Sequence, residues 1–268
     1  MWTDEMFGVK KPIIALLHLD PLPGDPAYCG CMEQVFEHAH EDLMALQAGG
    51  VDGVLVANEF SMPYSAETEY STVAAMAYLV GRLKNEFKVP YGVNIILNGA
   101  AAIDLASATG AKFVRSAFTG AYMGEYGVNL PNNRKAVRRK YELGLKDLKL
   151  FYKVNPESDR YLVDRDIETV TKAIVFQTNV DALCVSGASS GGETSSELLA
   201  KVKKAAGEVP IFCNTGVTID NVKDKMKIAD GACIGTSFKE NGKFWYTRVD
   251  VERVKAFMDV MKEIRASL

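Results

Sequence analysis

The chain is short of the groups that narrow a protein's chemistry at a glance. Its 268 residues hold three histidines, two tryptophans and five cysteines. A small, odd cysteine count does not build a disulfide framework. Cys184, Cys213 and Cys233 fall inside apolar runs, where a reduced thiol packs as a small hydrophobe, so a cytoplasmic setting is expected. No apolar run approaches the roughly 18 residues of a membrane helix, so no membrane span is expected. The opening MWTDEMFGVKK has no apolar core, so no signal peptide is expected either. Neither sign of charge dominates: 31 Lys and Arg stand against 34 Asp and Glu, a net −3. That balance makes no electrostatic case for nucleic acid or an anionic membrane surface as partner. No linker or low-complexity stretch divides the chain, and no G-x-G-x-x-G follows the first apolar run. The missing glycine fingerprint argues against an open dinucleotide-binding sheet.

What the chain does have is regular alternation. Eight short apolar runs read as strands: IIALLHL (13–19), GVLVANE (53–59), YGVNIIL (91–97), KFVRSAF (112–118), LKLFYKV (148–154), DALCVSG (181–187), PIFCNTG (210–216) and GACIGTS (231–237). Helical patterns lie between them. EQVFEHAHEDLMALQAGG, for example, repeats Val35, Ala39, Leu43 and Leu46 before a Gly-Gly stop. IDNVKDKMKIA reads as the helix after the seventh strand. Strict strand–helix alternation demands a parallel sheet. Eight units over this length close most economically into one α/β domain, residues 1–268, a single (β/α)8 TIM barrel.

A barrel of this kind works at the C-terminal ends of its strands. There the first run changes character, from Ile14 and Leu16 to His18 and Asp20 on the same side of an extended chain. The stiff PLPGDP follows and would hold that rim rigid. Other strands end in polar groups too: Asn58 and Glu59, Asn94, Arg115, Lys153 and Asn155, Ser186, and Asn214. Left unpaired in a core, each costs roughly 1 to 3 kcal/mol, so together they must form a polar network or meet a ligand. His18, Asp20, Glu59, Asn94 and Arg115 are the catalytic candidates. Glu59 and His18 would exchange protons, Asp20 would orient His18 and Arg115 would hold a developing anion. Lys153 offers a Schiff base should the reaction be an aldol cleavage.

Three small-residue stretches fall in the last third: SGASSGGETSSE (186–197), NTGVTIDN (214–221) and IGTSFKENG (234–242). Loops after the seventh and eighth strands of barrels often hold phosphate through backbone N–H groups. The candidate phosphate ligands are Ser186, Gly187, Asn214, Gly216, Gly235, Thr236 and Ser237. Thr194 and Glu197 read as a capping box. Residues 119–134 are long for a connecting loop, and Tyr122 and Tyr126 within them are candidate lid residues. Arg134 is the one member of its basic run placed to meet an anion at the mouth.

HLDPLPGDP, GGVDGVLVANEFSMPY, GAKFVRSAFTGAY and DALCVSG…NTGV…ADGACIGTSFKENGKF, in this order over nearly the whole chain, resemble the BtpA family and within it the SgcQ-like branch. The resemblance implies a barrel of the ribulose-phosphate-binding type. It also implies two settings: carbohydrate and sugar-phosphate metabolism for SgcQ-like proteins, and photosystem I biogenesis for BtpA. It settles no reaction. The positions that match are His18 to Pro26, Asn58-Glu59-Phe60, Asn94, Arg115, Thr119 to Tyr122, Arg165-Asp166, Ser186-Gly187 and Asn214 to Gly216.

The expected function is therefore an enzyme acting on a phosphorylated sugar or nucleoside-like ligand, by proton transfer at carbon or by glycosidic cleavage. Two alternatives stand beside it. One is a non-catalytic assembly or regulatory factor. The other is a metal-dependent hydrolase with a divalent ion at His18, Asp20 and Glu59. No cofactor is otherwise expected. Cys29 and Cys31 with His38 and His40 do not make a zinc site, because helix residues two apart point about 200° apart. Such barrels often pair through their outer helices, so a homo-oligomer is compatible with the sequence.

Overall fold

A computed structural model describes residues 1–242 and 247–268. Lys243 and Phe244, which end the last family motif, lie outside the described residues. The eight expected strands are present and close into a ring. They are β1 (Ile13–His18), β2 (Gly53–Ala57), β3 (Tyr91–Asn94), β4 (Phe113–Ser116), β7 (Lys149–Asn155), β9 (Ala182–Val185), β10 (Ile211–Cys213) and β11 (Gly231–Ile234). All pair in parallel in the ring order β1-β11-β10-β9-β7-β4-β3-β2. The ring closes where Ile13, Ile14 and Ala15 pair with Ala232, Cys233 and Ile234.

Alternation along β1 sorts its side chains. Ile13, Ala15 and Leu17 join the cluster between ring and helices, while Ile14 and Leu16 point into the barrel. The outer layer is α2 (Met32–Ala48), α3 (Tyr70–Leu83), α4 (Gly99–Thr109), α5 (Asn133–Glu142), α6 (Ile167–Gln177), α7 (Ser196–Ala206), the short α8 (Val222–Lys225) and α9 (Val251–Ala266). α2 turns Val35, Ala39, Leu43 and Leu46 inward, all buried. At the far end α9 is tied to the start of β1 by Arg265, which pairs with Asp52. That carboxylate also accepts the Ile13 N–H at 2.8 Å.

The barrel floor is aromatic. Phe113, Phe151 and Phe212 stack inside, with centroids 4.9 and 5.0 Å apart. Gly92 and Gly231 leave the space these rings fill, since a Cβ at either would overlap Phe113 or Phe212. Beneath them lies α1 (Trp2–Phe7), a short helix stopped by left-handed Gly8. Its Phe7 and Trp2 meet Phe113 and Phe151 edge-on at 5.9 and 5.8 Å.

Three features depart from the sequence expectation. The helix expected over 219–229 shrinks to one turn, α8. The eighth strand ends at Ile234 and passes into a 3₁₀ turn, Thr236–Phe238. Residues 119–134 are not a free loop: β5 (Tyr122–Gly124) and β6 (Gly127–Asn129) form a hairpin, and β8 (Arg160–Tyr161) adds to β5 as a third antiparallel strand. Among the described residues no helix is long and apolar enough to cross a membrane.

The plug is testable. Phe7 is 7% exposed, and Phe7→Ala should lower unfolding free energy by about 3 kcal/mol. Urea denaturation reads this, and an unchanged midpoint would show that α1 does not hold the floor.

Candidate functional site

Above the aromatic floor the C-terminal strand ends enclose a cavity of about 430 Å³. Leu16 of β1 and Cys233 of β11 form part of its base. His18, Glu59, Arg115, Glu157 and Asn214 stand around its inner wall. The loops after β10 and β11 make the outer wall, through Gly216, Thr218, Gly235, Thr236 and Ser237, with Arg253 from the first turn of α9.

Arg115, Asn214 and Glu157 of the inner wall belong to a chain of hydrogen bonds that crosses four strands, partly behind the wall. Arg115 on β4 donates from Nη1 to Asn214 Oδ1 at 2.8 Å. Asn214, just past β10, donates from Nδ2 to Ser186 Oγ at 3.0 Å, and that hydroxyl donates to Glu157 Oε2 at 3.0 Å. Glu157 Oε1 accepts from Lys153 Nζ at 2.7 Å. Asn155 holds Ser186 from the side, bonding both its backbone N–H and its carbonyl. The β7–β9 register shifts between Lys153 and Asn155, a bulge of the kind that re-aims side chains at a rim.

Charge states follow from these surroundings. His18 is 3% exposed. Burial, with the Lys239 and Arg115 cations nearby, pushes its pKa well below the usual imidazole value, so it is neutral at neutral pH. Glu59 Oε2 lies 3.9 Å from His18 Nε2. Burial raises the Glu59 pKa although Arg115 and Lys153 pull against it. Glu157 goes the other way: burial opposes ionisation, but Lys153 and Arg115 overcome it and bring the carboxyl down to about 2. One cavity thus holds a carboxylate that stays charged down to about pH 2 and a carboxyl that resists charging.

Several sequence expectations need correction. Asp20 does not orient His18. Beyond the last strand residue the chain turns, and the Asp20 carboxylate accepts from His38 at 2.5 Å and from Arg248 at 2.7 Å. It therefore pins the Arg248 segment to α2, beside the buried Lys239–Asp42 pair at 3.1 Å. With Asp20 so engaged, His18, Asp20 and Glu59 do not converge on one point. Among the described residues no group of three or more His, Cys, Asp or Glu is arranged to hold a metal ion. Asn94 is buried at the end of β3 but does not line the cavity.

Ser186 and Gly187 also stay off its wall. The Ser186 hydroxyl belongs to the network, and the Gly187 N–H is taken by Thr215 Oγ1 at 2.6 Å. Ser237 spends its hydroxyl proton on the Val217 carbonyl at 2.5 Å. Gly216 has φ +67°, and a Cβ there would overlap the Gly192–Glu193 backbone, so loop packing alone requires its glycine. Gly235 is different: a Cβ would come 2.8 Å from His18 Cε1.

Tyr122 is no lid. It is fully buried, its hydroxyl 3.0 Å from that of Tyr161. Tyr126 packs edge-on against Tyr64 at 5.1 Å. Arg134 is exposed and away from the cavity. The capping box is replaced by Ser195, whose Oγ accepts from Leu198 N at 3.1 Å. Thr194 instead turns inward to the Val185 and Thr215 carbonyls.

Glu157 and Arg253 are among the cavity residues that the sequence did not single out. Glu157 continues the two-residue spacing of Lys153 and Asn155 beyond the strand, and that spacing was the available signal. Arg253 sits on a helix face with no local mark of function; it reaches the rim because its Nε donates to the Ser237 carbonyl at 3.0 Å.

Comparison with known proteins places this geometry. The BtpA family model matches residues 9–263. Escherichia coli "putative sgc region protein SgcQ" is 42% identical over 266 residues, covering 98% of this chain and 99% of the relative. The "photosystem I biogenesis protein BtpA" of Synechocystis sp. is 31% identical over 262 residues, covering 97% and 91%. Among solved structures, (S)-3-O-geranylgeranylglyceryl phosphate synthase from Thermoplasma acidophilum, in complex with sn-glycerol-1-phosphate, superposes with TM-score 0.60 at 16% identity. It covers 97% of this chain and 96% of that one. At that identity the likeness is one of fold.

The two carboxyls give opposite pH responses. Glu157 contributes stability above the unfolded-state pKa of an ordinary glutamate and loses it as pH falls toward about 2, a loss of the order of 3 kcal/mol. Glu59, whose pKa is raised, costs stability as pH rises from the ordinary glutamate range toward its folded value. Urea unfolding across the acid range to neutrality should show Glu157→Gln flattening the acid limb and Glu59→Gln flattening the other. Parallel curves for the two variants would refute the assignment.

Proposed function

We propose that this chain, which belongs to the BtpA family, is an enzyme acting on a small phosphorylated ligand, a sugar phosphate or a phosphate-bearing nucleoside-like molecule. The observation that carries the reading is the pairing, inside one cavity, of Glu59 with a neutral His18 at 3.9 Å. A carboxyl with a raised pKa keeps its proton more readily than an ordinary glutamate and so suits proton donation, and a neutral imidazole beside it can donate a hydrogen bond without competing for charge. Arg115 supplies the cation that a developing oxyanion needs. This set suits proton transfer at carbon, as in an isomerase, epimerase or lyase, and also protonation of a leaving group in glycosidic cleavage. Glu157 holds Lys153 away from the ligand as its ion-pair partner, which disfavours a Schiff base.

The phosphate belongs at the outer wall. Gly235 and Thr236 present backbone and hydroxyl there, and Arg253 adds a guanidinium. Gly216 is explained by packing, so the phosphate reading leans on Gly235, Thr236 and Arg253. The known phosphate habit of loops after the last two barrel strands agrees with this. In this reading side chains do the chemistry without a cofactor. Asp20 is committed to His38 and Arg248, so of the three candidate metal ligands only His18 and Glu59 would remain to hold a divalent ion.

A thermal-shift panel of pentose and hexose phosphates against their unphosphorylated parents should show stabilisation by phosphate esters alone, removed by Arg253→Ala. On the substrate so found, His18→Ala and Glu59→Gln should fold normally and lose about 100-fold or more in turnover, and a chelator should change nothing. No shift with any phosphate ester would overturn the reading. Binding of a phosphate ester with no turnover by the wild type would favour a non-catalytic role, as in the biogenesis named for the cyanobacterial relative.

A further inference from the structure

The inner end of the cavity holds a buried guanidinium with no carboxylate in direct contact. Arg115 is 3% exposed. Its Nη1 bonds a neutral amide, Asn214, and its Nε has no hydrogen-bond partner among the described residues. The other groups near it are the Cys233 thiol, Glu59 and Glu157. Glu157 is taken by Lys153 and Ser186. Glu59 is held toward its neutral form by burial. Among the described residues Arg115 forms no ion pair.

Two buried lysines differ. Lys239 faces Asp42 at 3.1 Å and Lys225 faces Glu193 at 2.6 Å. Glu157 and Glu59 favour its charge from a distance, but a buried guanidinium keeps its proton and gains most from an anion in contact. A fold that keeps such a group on a cavity wall keeps it for an anion that arrives from outside. Guanidinium matches carboxylate by two parallel hydrogen bonds.

Resting on the phosphate site proposed above, we infer that the substrate carries a second anion at the end opposite its phosphate. It is a phosphorylated sugar acid, whose carboxylate docks on Arg115, rather than a phosphorylated aldehyde or polyol. The cavity volume of about 430 Å³ lies near the small end for ligand sites, about 300 to 1,000 Å³. One short-chain molecule spanning Arg253 to Arg115 fits that size.

Titration calorimetry on the full chain tests this with matched pairs of three to six carbons, each an aldonate phosphate and the alditol phosphate that differs only in lacking the carboxylate. At least one aldonate phosphate should bind about tenfold or more tighter than its partner. Asn214→Asp places a carboxylate against the guanidinium with almost no change in shape. It should erase the preference by weakening aldonate-phosphate binding. Arg115→Met should do the same, so a folding failure in one variant leaves the other to decide. Equal binding of aldonate and alditol phosphates by wild type would overturn the second anion and leave the phosphate site standing. A preference that survives both variants would overturn the assignment to Arg115. No binding of any phosphate would overturn both readings.

Discussion

The pairing of Ile13, Ile14 and Ala15 with Ala232, Cys233 and Ile234 closes the ring, and the rest of the molecule follows from that closure. A closed parallel ring has no free edge and brings all C-terminal strand ends to one rim. Alternation then divides each strand between the barrel interior and the helical layer. The interior is narrow enough for three phenylalanines to fill its floor, so polar residues can enter only above them. Groups buried at that height cannot reach bulk water and must bond one another. The run from Arg115 through Asn214, Ser186 and Glu157 to Lys153 is the result, one link from each of several strands.

Two polar systems share the rim, and they do different work. Asp20, His38, Arg248, Asp42 and Lys239 fasten the segment after the 3₁₀ turn to α2. The second system lines the cavity. His18 feels both, since Lys239 and Arg115 are the cations that, after burial, keep its ring neutral. The absence of a Cβ at Gly235 is what lets the β11 loop lie against that ring. The state of His18 is therefore set by residues far apart in the sequence, from the middle of the chain and from near its end.

The fold was legible because its signal is periodic. Eight apolar runs and their amphipathic partners announce a ring whatever the details at their ends. The parity rule also worked where it applies, inside hydrogen-bonded strand: Ile14, Leu16 and His18 do share the interior. It failed at Asp20 because pairing stops at His18 and the chain is then free to turn. It was not carried far enough in KVNPE, where Glu157 lies beyond the last strand residue. Ser186 and Gly187 read as ligands because small polar residues look alike whether they meet an anion or a neighbouring loop; only the partners of their donors tell the two apart. The hairpin of β5 and β6 and the plug α1 carry strand and helix segments too short for periodicity to mark.

The plug has a kinetic meaning as well as a structural one. With Trp2 and Phe7 set beneath the phenylalanine floor, the described barrel is closed at that end. On the proposed function, substrate and product would share the mouth at the C-terminal strand ends. Each would have to clear it before the other could enter.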